Sequence, residues 1–175
     1  MNRAPGWEGI LERDEKILWQ GRPDPSFRLL QGTQLTTMLF GLAFTGFALF
    51  WMIGATEAGG YFWAFGLIHF LVGLGISFGT PIMNWVTRRY SWYTLSDRRA
   101  LIATDIPLQG RRLDSYPITA DTQMTLTEGK TDSVHFATRS WRNRHGVQSA
   151  PIGFEMIPEG RKVLALMRKI QKGPQ

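Results

Sequence analysis

The residues with the most evident chemistry in this chain are arginines. Arg88/Arg89, Arg98/Arg99 and Arg111/Arg112 occur as adjacent pairs, and a guanidinium fork can grip a phosphate through two hydrogen bonds. A second cationic cluster spans residues 138–146 (TRSWRNRHG), where Arg139, Arg142, Arg144 and His145 surround Trp141. A ring among cations suits contact with a protein or an anionic lipid, and less readily with single-stranded nucleic acid. Plainer readings stand beside these. The pairs can serve as a diffuse electrostatic surface, as ordinary solvated charge or as a defined headgroup pocket, and residues 138–149 read as a polar, basic loop.

Other chemistry is hard to assemble. His135 and His145 lie ten residues apart without cysteine partners, which does not match structural zinc spacing. The carboxylate pairs Asp14/Glu15 and Asp97/Asp105 have no evident reason to converge on a substrate. No nucleophile elbow, P-loop or dinucleotide fingerprint is present. The absence of cysteine removes disulfides, thiolate metal sites and cysteine nucleophiles. The expectation is a non-enzymatic protein without catalytic, cofactor-binding or metal-binding residues.

The elements that position these arginines begin with two apolar segments. Residues 35–55 contain no charge, and residues 63–83 carry His69 as their one ionisable group. Each has 21 residues, and about 20 suffice for a helix to cross a hydrocarbon core of roughly 30 Å. The sequence therefore predicts a transmembrane hairpin over residues 35–85, between an N-terminal preamble (1–34) and a C-terminal domain (86–175). No cleavable signal peptide is evident ahead of the first span. Within the preamble, the segment that begins at Glu8 suits a short helix or an edge strand followed by a turn, any helix being stopped by about Gln20 by Gly21, Pro23 and Pro25. Trp19 suits either an interfacial anchor or a cover for the domain core.

Charge orients the hairpin. The loop at residues 56–62 has no Lys or Arg, whereas Arg22 and Arg28 precede the first span and Arg88 and Arg89 follow the second. The positive-inside rule then puts both termini in the cytoplasm. The net charge of +6 is concentrated late, since residues 86–175 hold 15 Lys/Arg against 8 Asp/Glu. A basic domain beside a bilayer favours anionic lipids as partners. Nucleic acid is disfavoured by the tether and the lack of a recognition motif.

Small residues recur inside the spans at Gly41, Thr45, Ala48 and Gly54, and at Gly66, Gly73, Gly75 and Gly79. Gly75 and Gly79 form a GxxxG pattern, which permits close helix approach. These positions suit packing of the two helices on each other, on a second copy or on another membrane protein. His69 suits a structural hydrogen bond to the neighbouring helix, with Thr45 as an acceptor, better than ligation of a cofactor.

From Trp92 onward the pattern changes to short runs of alternating residues between turn signals. Residues 93–95 and 100–104 read as a hairpin, with further strands at 111–118, 123–127, 134–137 and 152–156. Val163, Leu166, Met167 and Ile170 then share one face of a terminal helix. The expected fold is α+β: a two-helix transmembrane hairpin, then a small antiparallel sheet or partly closed barrel capped by a helix.

Three segments carry a resemblance to a known group. They are Asp14-Glu15-Lys16-Ile17-Leu18-Trp19-Gln20-Gly21-Arg22-Pro23, Tyr93-Thr94-Leu95-Ser96-Asp97-Arg98-Arg99-Ala100-Leu101-Ile102, and Gly153-Phe154-Glu155-Met156-Ile157-Pro158. The second resembles a YxLTxxR opening, with Ser96 in the Thr position. Together they resemble the bacterial membrane-anchored proteins with a pleckstrin-homology-like (PH-like) domain. That resemblance implies a seven-stranded sheet domain with a C-terminal helix, in the bacterial inner membrane, and assigns no catalytic residue. Many proteins of that group look like scaffolds or accessory modules, and the glycine-bearing, nearly chargeless hairpin beside a domain without chemistry favours engagement of a larger inner-membrane protein complex, self-association being a further partner choice. An anionic-lipid-responsive module is the alternative.

Overall fold

The computed structural model describes residues 9–29, 34–57, 59–144 and 146–173. The polar entry at Gln31, Gly32 and Thr33, and His145, lie outside the described residues. The chain divides into two compact units, one of residues 25–87 and one of residues 1–24 with 88–175.

The first unit is a helical hairpin of α1 (Gln34–Thr56) and α2 (Ala64–Arg89). Both helices are long and apolar enough to cross a membrane. They touch along one narrow stripe, where Gly41, Thr45 and Ala48 of α1 are buried. A Cβ added to Gly41 would sit 2.8 Å from the Ser77 amide nitrogen and 2.9 Å from the Gly73 carbonyl oxygen. Glycine is therefore required there by close backbone approach. Thr45 Oγ1 donates to the Gly41 carbonyl at 2.8 Å, and Ser77 Oγ donates to the Gly73 carbonyl at 3.0 Å. Both hydroxyls are thereby satisfied inside an apolar unit, where an unmade hydrogen bond is costly. Outside the stripe the helices keep large apolar side chains uncovered, with Phe50 75% exposed and Phe40, Phe47, Ile53 and Ile68 similar.

The second unit is built on two antiparallel sheets. One has the order β1 (Ile17–Gly21), β2 (Ser91–Ser96), β3 (Arg99–Ile106) and β4 (Gly110–Pro117); the other has β5 (Thr125–Thr127), β6 (Asp132–Asn143) and β7 (Gly146–Ile157). The sheets do not close into a barrel, so the barrel form of the expectation gives way to the open one. A terminal helix, α3 (Gly160–Gln171), covers the core with Val163, Leu164 and Met167. The N-terminal segment supplies an edge strand, with Gly21 opposite Tyr93 and Trp19 opposite Leu95. Trp19 belongs to the core and packs tilted against Phe154, with centroids 5.4 Å apart. Its indole Nε1 donates to the Glu159 carboxylate at 2.9 Å, which ties β1 to the start of α3.

Local chemistry explains the β2–β3 turn. Ser96 Oγ accepts from the amides of Arg98 and Arg99 at 3.2 and 3.0 Å. A hydroxyl at this position holds the turn, as Ser and Thr do in ST-turns.

The largest correction concerns residues 138–149, expected as a loop. Residues 138–143 and 146–149 are the outer halves of β6 and β7, paired in register from Thr138 opposite Pro151 to Asn143 opposite Gly146. Gly146 at φ 114° takes a backbone conformation that other residues resist. Polar composition concealed the strands because this ribbon has no core-facing side to impose apolar alternation.

The ribbon also crosses the other sheet. Phe154 of β7 meets Trp19 and Tyr93 on β1 and β2, while Phe136 of β6 meets Tyr116 on edge strand β4. Closer to the tip, Arg139 approaches Asp114 of β4 at 3.9 Å. Contacts thus move toward the β4 edge, and the outer half of the hairpin lies past it as an arm. Residues 138–144 and 146–149 are all exposed.

Candidate functional site

The arginines named from sequence divide into three environments. Arg98 and Arg99 follow the β2–β3 turn and are engaged by acids from the N-terminal segment. Arg99 donates from Nε and Nη2 to the two carboxylate oxygens of Glu15 at 2.9 and 2.8 Å, and from Nη2 to the Ile10 carbonyl at 2.8 Å. The Glu15 side chain is fully buried. Its carboxylate also accepts from the Glu12 amide at 2.8 Å. Burial pushes the Glu15 pKa up, but the Arg99 fork, Ser96 and the Glu12 amide outweigh it and hold the carboxyl down at about 2. Arg98 adds an exposed pair with Glu12 at 2.9 Å. These groups form a latch between the pre-helical segment and the sheet.

The second environment is β3–β4. Arg111 pairs with Asp105 at 3.1 Å and Arg112 with Asp114 at 2.9 Å, both exposed. The Asp114 carboxylate holds the Arg112 pKa up. Arg88 is buried, whereas Arg89 is exposed. Burial, followed by the charge of Glu155, raises the nearby Tyr93 phenol well above its ordinary value. The paired cations do not converge on one pocket: Arg98 and Arg99 serve the latch, Arg111 and Arg112 serve the β3–β4 edge.

The third environment is the arm. Trp141 is 48% exposed and Val147 64% exposed. Trp141 lies opposite Gln148 and Arg142 opposite Val147, so the ring and Val147 present opposite faces of the ribbon. Among the described residues, Arg142 and Arg144 have no carboxylate within 4.0 Å, and Arg139 has Asp114 alone at 3.9 Å.

In the helical unit, the structure uses part of the predicted small-residue set. Gly41, Thr45, Ala48, Gly66 and Gly73 lie between the helices, with Ser77 as a member that glycine counting missed. Gly75 and Gly79 are exposed, and a Cβ at either would meet nothing within 4 Å. The GxxxG pair therefore faces away from the hairpin contact. His69 and Thr45 are not joined. His69 Nδ1 lies 3.3 Å from the Phe65 carbonyl of its own helix, and its ring packs beside Phe65 and Phe44. A cleft of about 240 Å³ beside it is lined mainly by aromatic rings, including Trp51 and Phe47.

A larger open trough of about 1100 Å³ runs along α3 between Glu128, Arg161 and Lys172. Arg161 is held by Glu128 at 2.7 Å. The trough's other cations, Arg168, Lys169 and Lys172, sit at the helix C-terminus, where they complement the dipole that repels anions. Among the described residues, no three His, Asp or Glu side chains gather as a metal site. Sequence reasoning also passed over Glu12 and named Glu15 only as half of a carboxylate pair; their partners, Arg98 and Arg99, lie 86 and 84 residues away.

Comparison with protein-family models, curated proteins and solved structures returns no match for this chain.

Proposed function

We propose that this chain is a non-enzymatic accessory or scaffold protein of a bacterial inner membrane. On this reading α1 and α2 cross the bilayer as a hairpin, both termini face the cytoplasm and the sheet unit is a PH-like module. The hairpin engages a larger membrane-protein assembly. Cation placement supports the orientation, since Arg22, Arg28, Arg88 and Arg89 flank the spans and residues 56–62 hold none.

The observation that carries the assembly role is the surface left over after the hairpin packs. One stripe joins the helices, while the Gly75/Gly79 face stays open beside exposed Leu71, Val72 and Ile68. Helices in lipid associate through such small-residue faces because backbones can approach closely there. A photo-crosslinking residue at Gly75 of the full chain, in native membranes, tests this. The expected result is an adduct with another membrane protein, matched by a discrete complex in native mass measurement after gentle extraction. An adduct of twice the chain mass would identify self-association. A monomer without adducts would overturn the assembly reading.

The alternative, an anionic-lipid-responsive module, draws little from Arg98, Arg99, Arg111 and Arg112, whose charges are already met by acids. Its support lies in the arm.

A further inference from the structure

We propose that the β6–β7 arm is a lipid-contacting foot that lies on the anionic surface of the bilayer, an inference that rests on the membrane-crossing reading of α1 and α2. Residues 133–154 contain no acidic residue and carry Arg139, Arg142 and Arg144. Everything from 138 to 149 that the structure describes is exposed, so these side chains are not committed to the core. A two-stranded ribbon without a packed face is marginal in water. This one extends for six paired positions, Thr138 to Asn143, or about 20 Å. A chain that keeps such a ribbon paired gains from a surface to rest on.

The side chains specify that surface. Arginines are attracted to anionic headgroups, and an indole ring favours the headgroup level through its apolar body and polar N–H. Trp141 and Val147 on opposite faces allow the ribbon tip to enter the interface edge-on with apolar groups on both sides. The tether to the proposed membrane spans is short. β2 starts at Ser91, two residues after α2 ends at Arg89, a reach of at most about 7 Å. The latch and β3–β4 arginines sit beside carboxylates that cancel their charge, whereas Arg142 and Arg144 do not. An acidic protein would satisfy the same cations but gives no reason for the indole and the valine to share the tip.

The cysteine-free sequence makes the test direct. Single cysteines replacing Val147, Lys130 and Phe47 in the full chain are labelled with an environment-sensitive fluorophore. The chain is reconstituted in vesicles rich in phosphatidylglycerol or in phosphatidylcholine alone, with shallow or deep nitroxide-labelled lipids. In anionic vesicles the label at 147 should shift to the blue and be quenched by the shallow nitroxide, while that at 130 stays in water. Phosphatidylcholine vesicles or high salt should largely abolish the effect at 147. Arg142→Gln with Arg144→Gln should lower the docked-to-free ratio roughly 25-fold, about fivefold for each cation near such a surface. A label at 147 as water-exposed as that at 130 in anionic vesicles overturns the proposal. Equal quenching in both vesicle types does so too, as does protection that appears only when an acidic protein is added. The label at Phe47 separates the premise: if the deep nitroxide fails to quench it, the membrane reading itself falls, and the foot with it.

Discussion

The β2–β3 turn and the β6–β7 arm present the same side chain in opposite circumstances. At the turn, Arg99 closes on a buried carboxylate with hydrogen bonds from Nε and Nη2, and Nη2 also donates to a backbone carbonyl. On the arm, Arg142 and Arg144 stand exposed within a run that contains no acid. Arginine at the turn is a structural part that welds the N-terminal segment to the sheet. Arginine on the arm is charge held available. The difference comes from burial: removing one partner of a desolvated pair leaves the other uncompensated, whereas removing an exposed, unpaired cation strands no buried charge.

Arg99 is where the two regions differ most. Arg99→Met should leave the Glu15 carboxylate buried without its counter-charge and destabilise the sheet unit by about 3–5 kcal/mol, measured as the urea midpoint of the full chain in detergent. A change below about 1 kcal/mol would reduce the latch to an ordinary surface pair.

Acid should act on the same pair. The Glu15 pKa is lowered from 4.5 to about 2, so folding favours its ionised form. The stabilisation is fully present above about pH 4.5 and is lost as pH falls toward 2. Stability measured between these limits should drop for the wild type. In Arg99→Met the depressed carboxyl returns upward, which moves its titration to higher pH. Identical acid profiles for the two proteins would contradict the assignment.

A smaller effect is expected where the latch region meets α3. Trp19→Phe removes the indole donor to Glu159 and some core volume, costing about 1–2 kcal/mol in the same unfolding measurement. The Glu159 carboxyl, held low first by this indole and then by Lys162, should titrate at a higher pH in the variant. The smallest effect belongs to the arm. Arg142→Gln with Arg144→Gln should change stability by less than about 0.5 kcal/mol. A large loss would mean that these cations are structural after all, and the contrast between the two regions would disappear.

What sequence reading captured follows the range of the forces involved. Two charge-free stretches announced α1 and α2 because apolar content over a helix length is local information. The β2–β3 hairpin was legible for the same reason, since Ser96 holds its turn through amides two and three residues on. The latch was not legible, because Glu15 and Arg99 are 84 residues apart and only folding shows that they meet. The arm was mistaken for a loop because strands without a buried face need no apolar alternation. Gly75 and Gly79 matched a packing motif, yet Gly41, Gly73 and Ser77 make the closest approach. A motif shows which backbones can come near, but the helix rotation that selects one face is set by the entire stripe.

Topology is the claim on which the rest depends, and cysteine accessibility in intact spheroplasts tests it most directly. Glu57 lies in the short connection between α1 and α2, and Lys130 lies at the exposed turn between β5 and β6. Single cysteines at these positions are challenged with a membrane-impermeant thiol reagent before and after permeabilisation. Position 57 should be labelled in intact spheroplasts, and position 130 only after permeabilisation. Labelling of 130 but not 57 would invert the protein in the membrane and take the basic sheet unit out of the cytoplasm. Labelling of both in verified intact spheroplasts would contradict two crossings.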